Sequence, residues 1–312
     1  MRHSSAPRRT PGGAGFRERI TRLLAGVIAV GALSAFSVVV EAAPTSAAPA
    51  PQWKVPRLAV MPLGDSITLG VGSSTGDGYR PGLWSKLQGH GDTVDFVGSM
   101  SSGTLPDTDH EGHSGWFIGG IHDTIGSWLY QARPNVVTLK IGTNDVNKNI
   151  DVANAPTRLK QLVDRIRASA PGITVAVATI VPNADNAAQA RVVTYNNAVR
   201  ALVSDYQAQG AHVELADTSA VTVAELGDGL HPDDAGYAKI ATAFYDAVAR
   251  AAGKGWITEN VVVKPALPEP TTVADADVDL DGDGRATPSW AGRTAARRSG
   301  CPTSTPTARR TS

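Results

Sequence analysis

The chain of 312 residues is 42% hydrophobic and 19% charged, with 29 basic side chains against 29 acidic ones. That balance fits one globular domain with extra segments at its ends, and it excludes a coiled coil, a collagen and a wholly disordered chain. Residues 52–256 carry 16 basic against 20 acidic side chains, a mildly acidic surface with no footprint for a phosphate backbone, so nucleic acid is not an expected partner.

In chain order, residues 1–51 hold six Arg and two Glu, and residues 23–40 run without a charge. Small residues follow as far as Ala50, so 1–48 reads as an export signal and leader. That reading predicts a secreted protein with no stable membrane association once the signal is removed. The rival is an uncleaved anchor, because the apolar run approaches the ~20 residues that span hydrocarbon.

From residue 57 onward, short apolar and β-branched runs alternate with amphipathic stretches, which predicts parallel strands joined by crossover helices. Strands are expected at 57–63, 93–97, 135–141, 173–181 and 212–215, and helices at 80–88, 118–131, 155–169, 187–209 and 232–251. Leu159, Leu162, Val163 and Ile166 recur at three- and four-residue intervals, as one buried helix face requires. Pro232 suits the first turn of the last helix, beside Asp233 and Asp234. The expected fold is therefore α/β: a three-layer α/β/α sandwich around a five-stranded parallel, doubly wound sheet, spanning residues 52–256. In such sheets ligands bind beyond the carboxyl ends of the strands. The Pro-rich composition of 257–274 reads as a linker. The single cysteine, Cys301, permits neither an intramolecular disulfide nor a cysteine-held zinc.

Four segments fall at that carboxyl edge. Gly64-Asp65-Ser66-Ile67-Thr68 follows the first strand and presents a serine in a turn; the plain alternative is a helix cap. It is neither the nucleophile elbow of the α/β-hydrolases nor a phosphate loop, because Thr68 stands where the second Gly of the elbow belongs and no Lys-Ser/Thr pair closes the turn. Asp228-Gly229-Leu230-His231 spaces a carboxylate three residues from an imidazole, so one turn can bring it to Nδ1–H and leave Nε2 free. Its alternative is a helix entry with an acidic turn. Asn144, after the third strand, offers an amide to developing negative charge, or else forms an Asx turn. In His110-Glu111-Gly112-His113-Ser114-Gly115-Trp116, Gly115 can bring a backbone N–H close to a ligand. The two histidines lack the spacing of His-Glu-x-x-His and a third partner, so a metal is not expected there.

Together these blocks resemble the SGNH hydrolases, also called the GDSL esterase and lipase superfamily, over residues 57–251. The resemblance implies a flavodoxin-like sheet and a serine esterase in which Ser66 is the nucleophile, His231 the general base and acid, and Asp228 its orienting partner. It implies an oxyanion hole made of the Ser66 N–H, the Gly115 N–H and the Asn144 amide, and it calls for no cofactor. The His110–Trp116 run and the short span are similar to acetylxylan esterases of carbohydrate esterase family three.

The loops hold no long apolar insertion, and 99–114 is rich in Ser, Gly, Asp and His. A polar mouth suits a sugar, so the expected substrate is a short acyl ester, acetyl first, on a plant polysaccharide such as xylan, hydrolysed by a monomer. Trp116 is a candidate for stacking on a pyranose ring, as is Trp84, against ordinary packing for both. A general short-chain esterase or lysophospholipase is the runner-up. A carbohydrate-binding module with a vestigial triad is the reading from another class; it predicts binding without turnover.

Toward the end, Asp279, Asp281 and Asp283 alternate around Gly282 and resemble the opening of an FG-GAP type calcium repeat. Thr287 stands where another acid is expected, so these aspartates are weak calcium candidates. Residues 275–312 read as a truncated repeat start followed by a disordered basic tail.

Overall fold

The computed structural model describes residues 53–265. The export signal, the calcium candidates Asp279, Asp281 and Asp283 and the basic tail lie outside the described residues. The described chain begins with β1 (Val55–Gly64), the four-residue α1 (Ser66–Leu69), α2 (Arg80–Leu87) and β2 (Gly91–Phe96). Two short strands, β3 (Met100–Ser101) and β4 (Asp109–Gly112), precede α3 (Ile118–Ala132), β5 (Val136–Lys140) and α4 (Thr143–Asn147). It continues through α5 (Ala155–Ser169), β6 (Thr174–Ala178), α6 (Asn186–Ala208), β7 (Val213–Ala216) and α7 (Asp234–Gly253).

The five expected strands are present and parallel, in the order β2-β1-β5-β6-β7. The order reverses between β1 and β5, and in doubly wound sheets the crevice at such a reversal is where ligands bind. The strand count differs from the expected five. β4 pairs with the carboxyl end of β1 through Leu63↔Glu111 and Gly64↔Gly112, and β3 pairs antiparallel with β4, giving seven strands. Their sequences carry no apolar alternation, because β4 buries His110 and Glu111 against hydrogen-bond partners instead.

Period-two alternation divides the core between the two sheet faces. Ala59, Met61, Leu63, Val137, Leu139, Val175 and Val177 face α3, α5 and α6, whereas Leu58, Val60, Val136, Ala176 and Ala178 face α2 and α7. The expected stripe of α5 is buried as a unit: Leu159, Leu162, Val163 and Ile166 all join the first cluster. Each such side chain contributes roughly 1.5–3 kcal/mol by leaving water.

Among the boundaries that differ from the sequence reading, two have a clear physical reason. Helix α7 starts after Pro232: Asp233 is its N-cap, its carboxylate accepting from the Gly236 N–H at 2.9 Å, while Pro232 bridges to Leu226. The residues from 257 that read as linker begin packed on the domain, with Ile257 and Val263 buried. The Lys264 N–H donates to the Ser169 carbonyl at 2.8 Å, and the Asn135 amide donates to the Thr258 carbonyl at 2.9 Å. Proline-rich composition marks an extended chain but says nothing of two apolar residues that find a groove.

Candidate active site

Strand β1 ends at Gly64, where a Cβ would lie 2.1 Å from the Lys140 carbonyl oxygen of β5. Only glycine permits that approach, and it sets the turn into α1. Asp65 caps the helix by accepting from the Ile67 N–H at 3.0 Å. Ser66 is thereby the first helical residue, and its own N–H has no partner among the described residues.

At the other end of the domain, the turn from Asp228 to His231 folds back on itself. Asp228 Oδ1 accepts from the Leu230 N–H at 2.9 Å and the His231 N–H at 2.7 Å, while Oδ2 lies 2.7 Å from His231 Nδ1. A carboxylate only accepts, so Nδ1 carries the proton and Nε2 presents its lone pair. That Nε2 stands 2.9 Å from Ser66 Oγ, across 165 residues of sequence. The structure thus brings Ser66, His231 and Asp228 together in one hydrogen-bonded row. Desolvation pushes the Asp228 carboxyl up, but the hydrogen bonds from the His231 ring, the His231 N–H and the Leu230 N–H, with the charge of His231, hold it down at about 2.

The two remaining candidates leave neighbouring strand ends. Gly115 follows β4 with φ +82, in the region that favours glycine, and open space surrounds the position a Cβ would take. Its N–H has no partner among the described residues. The loop is tied to the strand that leads into Ser66 by the His113 N–H, which donates to the Gly64 carbonyl at 2.9 Å. Asn144 follows β5 in α4 and is almost fully buried. One hydrogen of its amide goes to the Trp116 carbonyl at 2.9 Å, which orients the group and leaves the other free to donate. Asp145 locks α4 further, accepting from the Ile118 N–H at 3.2 Å and from Arg158 at 2.9 Å.

Trp116 is half-buried. One side of its indole meets the His113 ring at 4.5 Å between centroids, and the side chain packs against the core. Trp84 lies edge-on to Phe96 at 5.1 Å, in the layer of α2 and α7. His110 is held by Ser102 Oγ at 2.7 Å and by the Gly112 N–H at 2.9 Å. His113 is bonded to Glu111 at 2.8 Å. Among the described residues, no group of three His, Cys, Asp or Glu is arranged to hold a metal. Sequence reasoning passed over Lys140, buried beneath the site with Nζ 3.2 Å from Thr143 Oγ1. Burial lowers its pKa, opposed by the charge of Asp65. An isolated Lys at a strand end carries no signal that it is covered.

Residues 63–239 match the GDSL-like lipase/acylhydrolase family, which is more than half of the chain. A multidomain esterase of Ruminococcus flavefaciens is 30% identical over 267 residues, covering 72% of this chain and 33% of that protein. The chain therefore spans only about a third of that relative. The family 3 carbohydrate esterase of Clostridium thermocellum superposes with a TM-score of 0.58 at 35% identity, covering 64% of this chain and 98% of that one. An acetyl esterase mutant solved with an acetate ion gives 0.55 at 29% identity, covering 64% and 99%. The chain thus belongs to the GDSL-like lipase/acylhydrolase (SGNH) family, with residues 63–239 forming a carboxylic ester hydrolase domain in which a serine and an imidazole stand at hydrogen-bond distance.

Proposed function

We propose that this is a secreted serine esterase that removes short acyl groups, acetyl first, from plant polysaccharide such as acetylated xylan. The observation that carries the catalytic part is the 2.9 Å contact between Ser66 Oγ and His231 Nε2. A serine hydroxyl is a weak nucleophile at neutral pH, so attack on an ester carbonyl requires His231 to take its proton as the bond forms. The Asp228 carboxylate, ionised above about pH 2, stabilises the imidazolium and keeps the proton on Nδ1. The tetrahedral oxyanion is met by the Ser66 N–H, the Gly115 N–H and the free hydrogen of the Asn144 amide. Donors already oriented need no reorganisation during the reaction, which is why each is worth ~3–4 kcal/mol of barrier. His231 then protonates the departing alcohol, and water activated by the same imidazole releases the acid from Ser66.

The polar loop before Gly115 and the likeness to a carbohydrate esterase and an acetyl esterase support the acetyl-polysaccharide reading. The half-exposed indole of Trp116 serves there as one wall for a sugar. The charge-free run 23–40 supports export.

The test is a rate panel on acetyl, butyryl and octanoyl p-nitrophenyl esters, with acetate release from acetylated xylan, for wild type and Ser66→Ala. Acetyl should be fastest, with xylan deacetylated and the variant inert. A rate that climbs with chain length selects the general esterase or lysophospholipase instead. Binding to xylan without turnover, and no labelling of Ser66 by a phosphonate ester, selects the vestigial binding module.

A further inference from the structure

The segment from β4 to α3 carries polar machinery that the triad and the three donors do not use. Glu111 is fully buried, and a buried carboxylate is costly unless it is surrounded by donors. Three surround it here: the Ser99 N–H, the Ser99 hydroxyl at 3.1 Å and His113 Nε2 at 2.8 Å. A carboxylate accepts from each, so Nε2 bears a proton and Glu111 fixes which way the imidazole faces. The ring also packs against two indoles, at 4.5 Å from Trp116 and 4.5 Å from Trp128, the latter only 8° from parallel, and the two indoles meet each other at 5.8 Å.

The backbone of the same residue reaches both neighbours that matter. The His113 N–H donates to the Gly64 carbonyl at 2.9 Å, two residues before the nucleophile. Its carbonyl accepts from the Trp116 N–H at 3.2 Å, closing the turn that holds Gly115. The Trp116 carbonyl then accepts from the Asn144 amide at 2.9 Å. Two of the three oxyanion donors are therefore joined through the backbone of one residue, whose side chain is held by Glu111.

We propose that His113, oriented by buried Glu111, is a positioning residue that sets the Gly115 N–H and the Asn144 amide for the transition state. The proposal rests on the oxyanion assignment made above. Loss of the imidazole donor lets the ring and the turn relax. A shift of even an ångström in donors aimed at a developing charge lowers turnover strongly while leaving ground-state binding nearly untouched.

The experiment compares wild type, His113→Phe, Asn144→Ala and the double variant in kcat and KM on p-nitrophenyl acetate, with inhibition by phenylboronic acid as a mimic of the tetrahedral state. His113→Phe keeps a ring against the indoles and removes the donor. The expected result is a kcat lower by ~10–100-fold, KM within about twofold, and a boronate affinity that falls in parallel. Because the two residues act on a shared donor, the double variant should lose less than the product of the single losses. A wild-type kcat, a change confined to KM, or losses that simply multiply overturns the positioning role while leaving Asn144 in place. A wild-type kcat in Asn144→Ala overturns the oxyanion assignment and this proposal with it. Should His113→Phe lack a cooperative melt, Glu111→Gln carries the same test, with a kcat fall at constant KM expected and wild-type kcat overturning the idea.

Discussion

Asp228 and His231 lie three residues apart in one turn, and the Asp228 side chain is 58% exposed. The donors opposite them come from three strand ends, after β1, β4 and β5, and rest on buried polar groups. The base side is thus held by local hydrogen bonds that a short peptide can form for itself, among them 2.7 Å and 2.9 Å contacts to its own backbone. The oxyanion side exists only after the sheet has closed. A site assembled this way leaves the carboxylate of Asp228 in solvent while the imidazole it orients is only 15% exposed. Ser66 and Asn144 on the other side are buried, where each hydrogen bond is stronger.

The most drastic way to break this division is at the contact joining the two sides. Ser66→Ala and His231→Ala should each lower kcat by roughly four to six orders of magnitude with the thermal melt retained, and appreciable turnover in either purified variant would falsify the triad. Next comes the buried side alone: Asn144→Ala should cost ~10²–10³ in kcat with little change in KM, measured by steady-state kinetics.

Acid stability sharpens the same contrast. Burial first, then the charges of Arg80 and His113, push His110 down to about 3 from its ordinary 6.5. The native state therefore keeps it neutral while the unfolded chain takes a proton, so its contribution is whole above pH 6.5 and is lost progressively as pH falls toward 3. That one group costs about 1 kcal/mol of stability per pH unit within this window. Urea unfolding of His110→Gln across it should show a flatter slope than wild type, and an identical slope would remove His110 as the cause. The smallest effect belongs to the exposed turn. Asp228 titrates at about 2 partly because His231 donates to it, so in His231→Ala its carboxyl should move back up toward 3.8. Carbon-detected NMR of the side chain measures this, and a value that stays near 2 would assign the depression to the backbone donors alone.

Much of the architecture was legible because it depends on period. Alternation in β1 and the spacing of Leu159, Leu162, Val163 and Ile166 announce which face is buried, and those faces are buried. The meeting of Ser66, His231 and Asp228 was legible for a related reason: Asp228 and His231 are near neighbours, and Ser66 follows a strand with a glycine hinge. Strands β3 and β4 escaped notice because Asp109–Gly112 is stabilised by side-chain bonds to Ser99, Ser102 and His113 rather than by apolar contact. The same run was read for Gly115, for Trp116 and for a metal pair at His110 and His113, and no spacing in it signals that His113 bonds a buried Glu111.

The amino-acid order alone determined the layered α/β class, the five parallel strands and the residue types of an ester hydrolase, because periodicity, turn chemistry and short spacings act within a few residues. Only the tertiary structure decided that Ser66 meets His231 at 2.9 Å, that β4 lines the end of β1, and that Glu111 is buried with His113 as its partner. Those contacts join residues far apart in the chain. Whether a charged side chain is covered, and by what, depends on strand order and packing that no local pattern encodes.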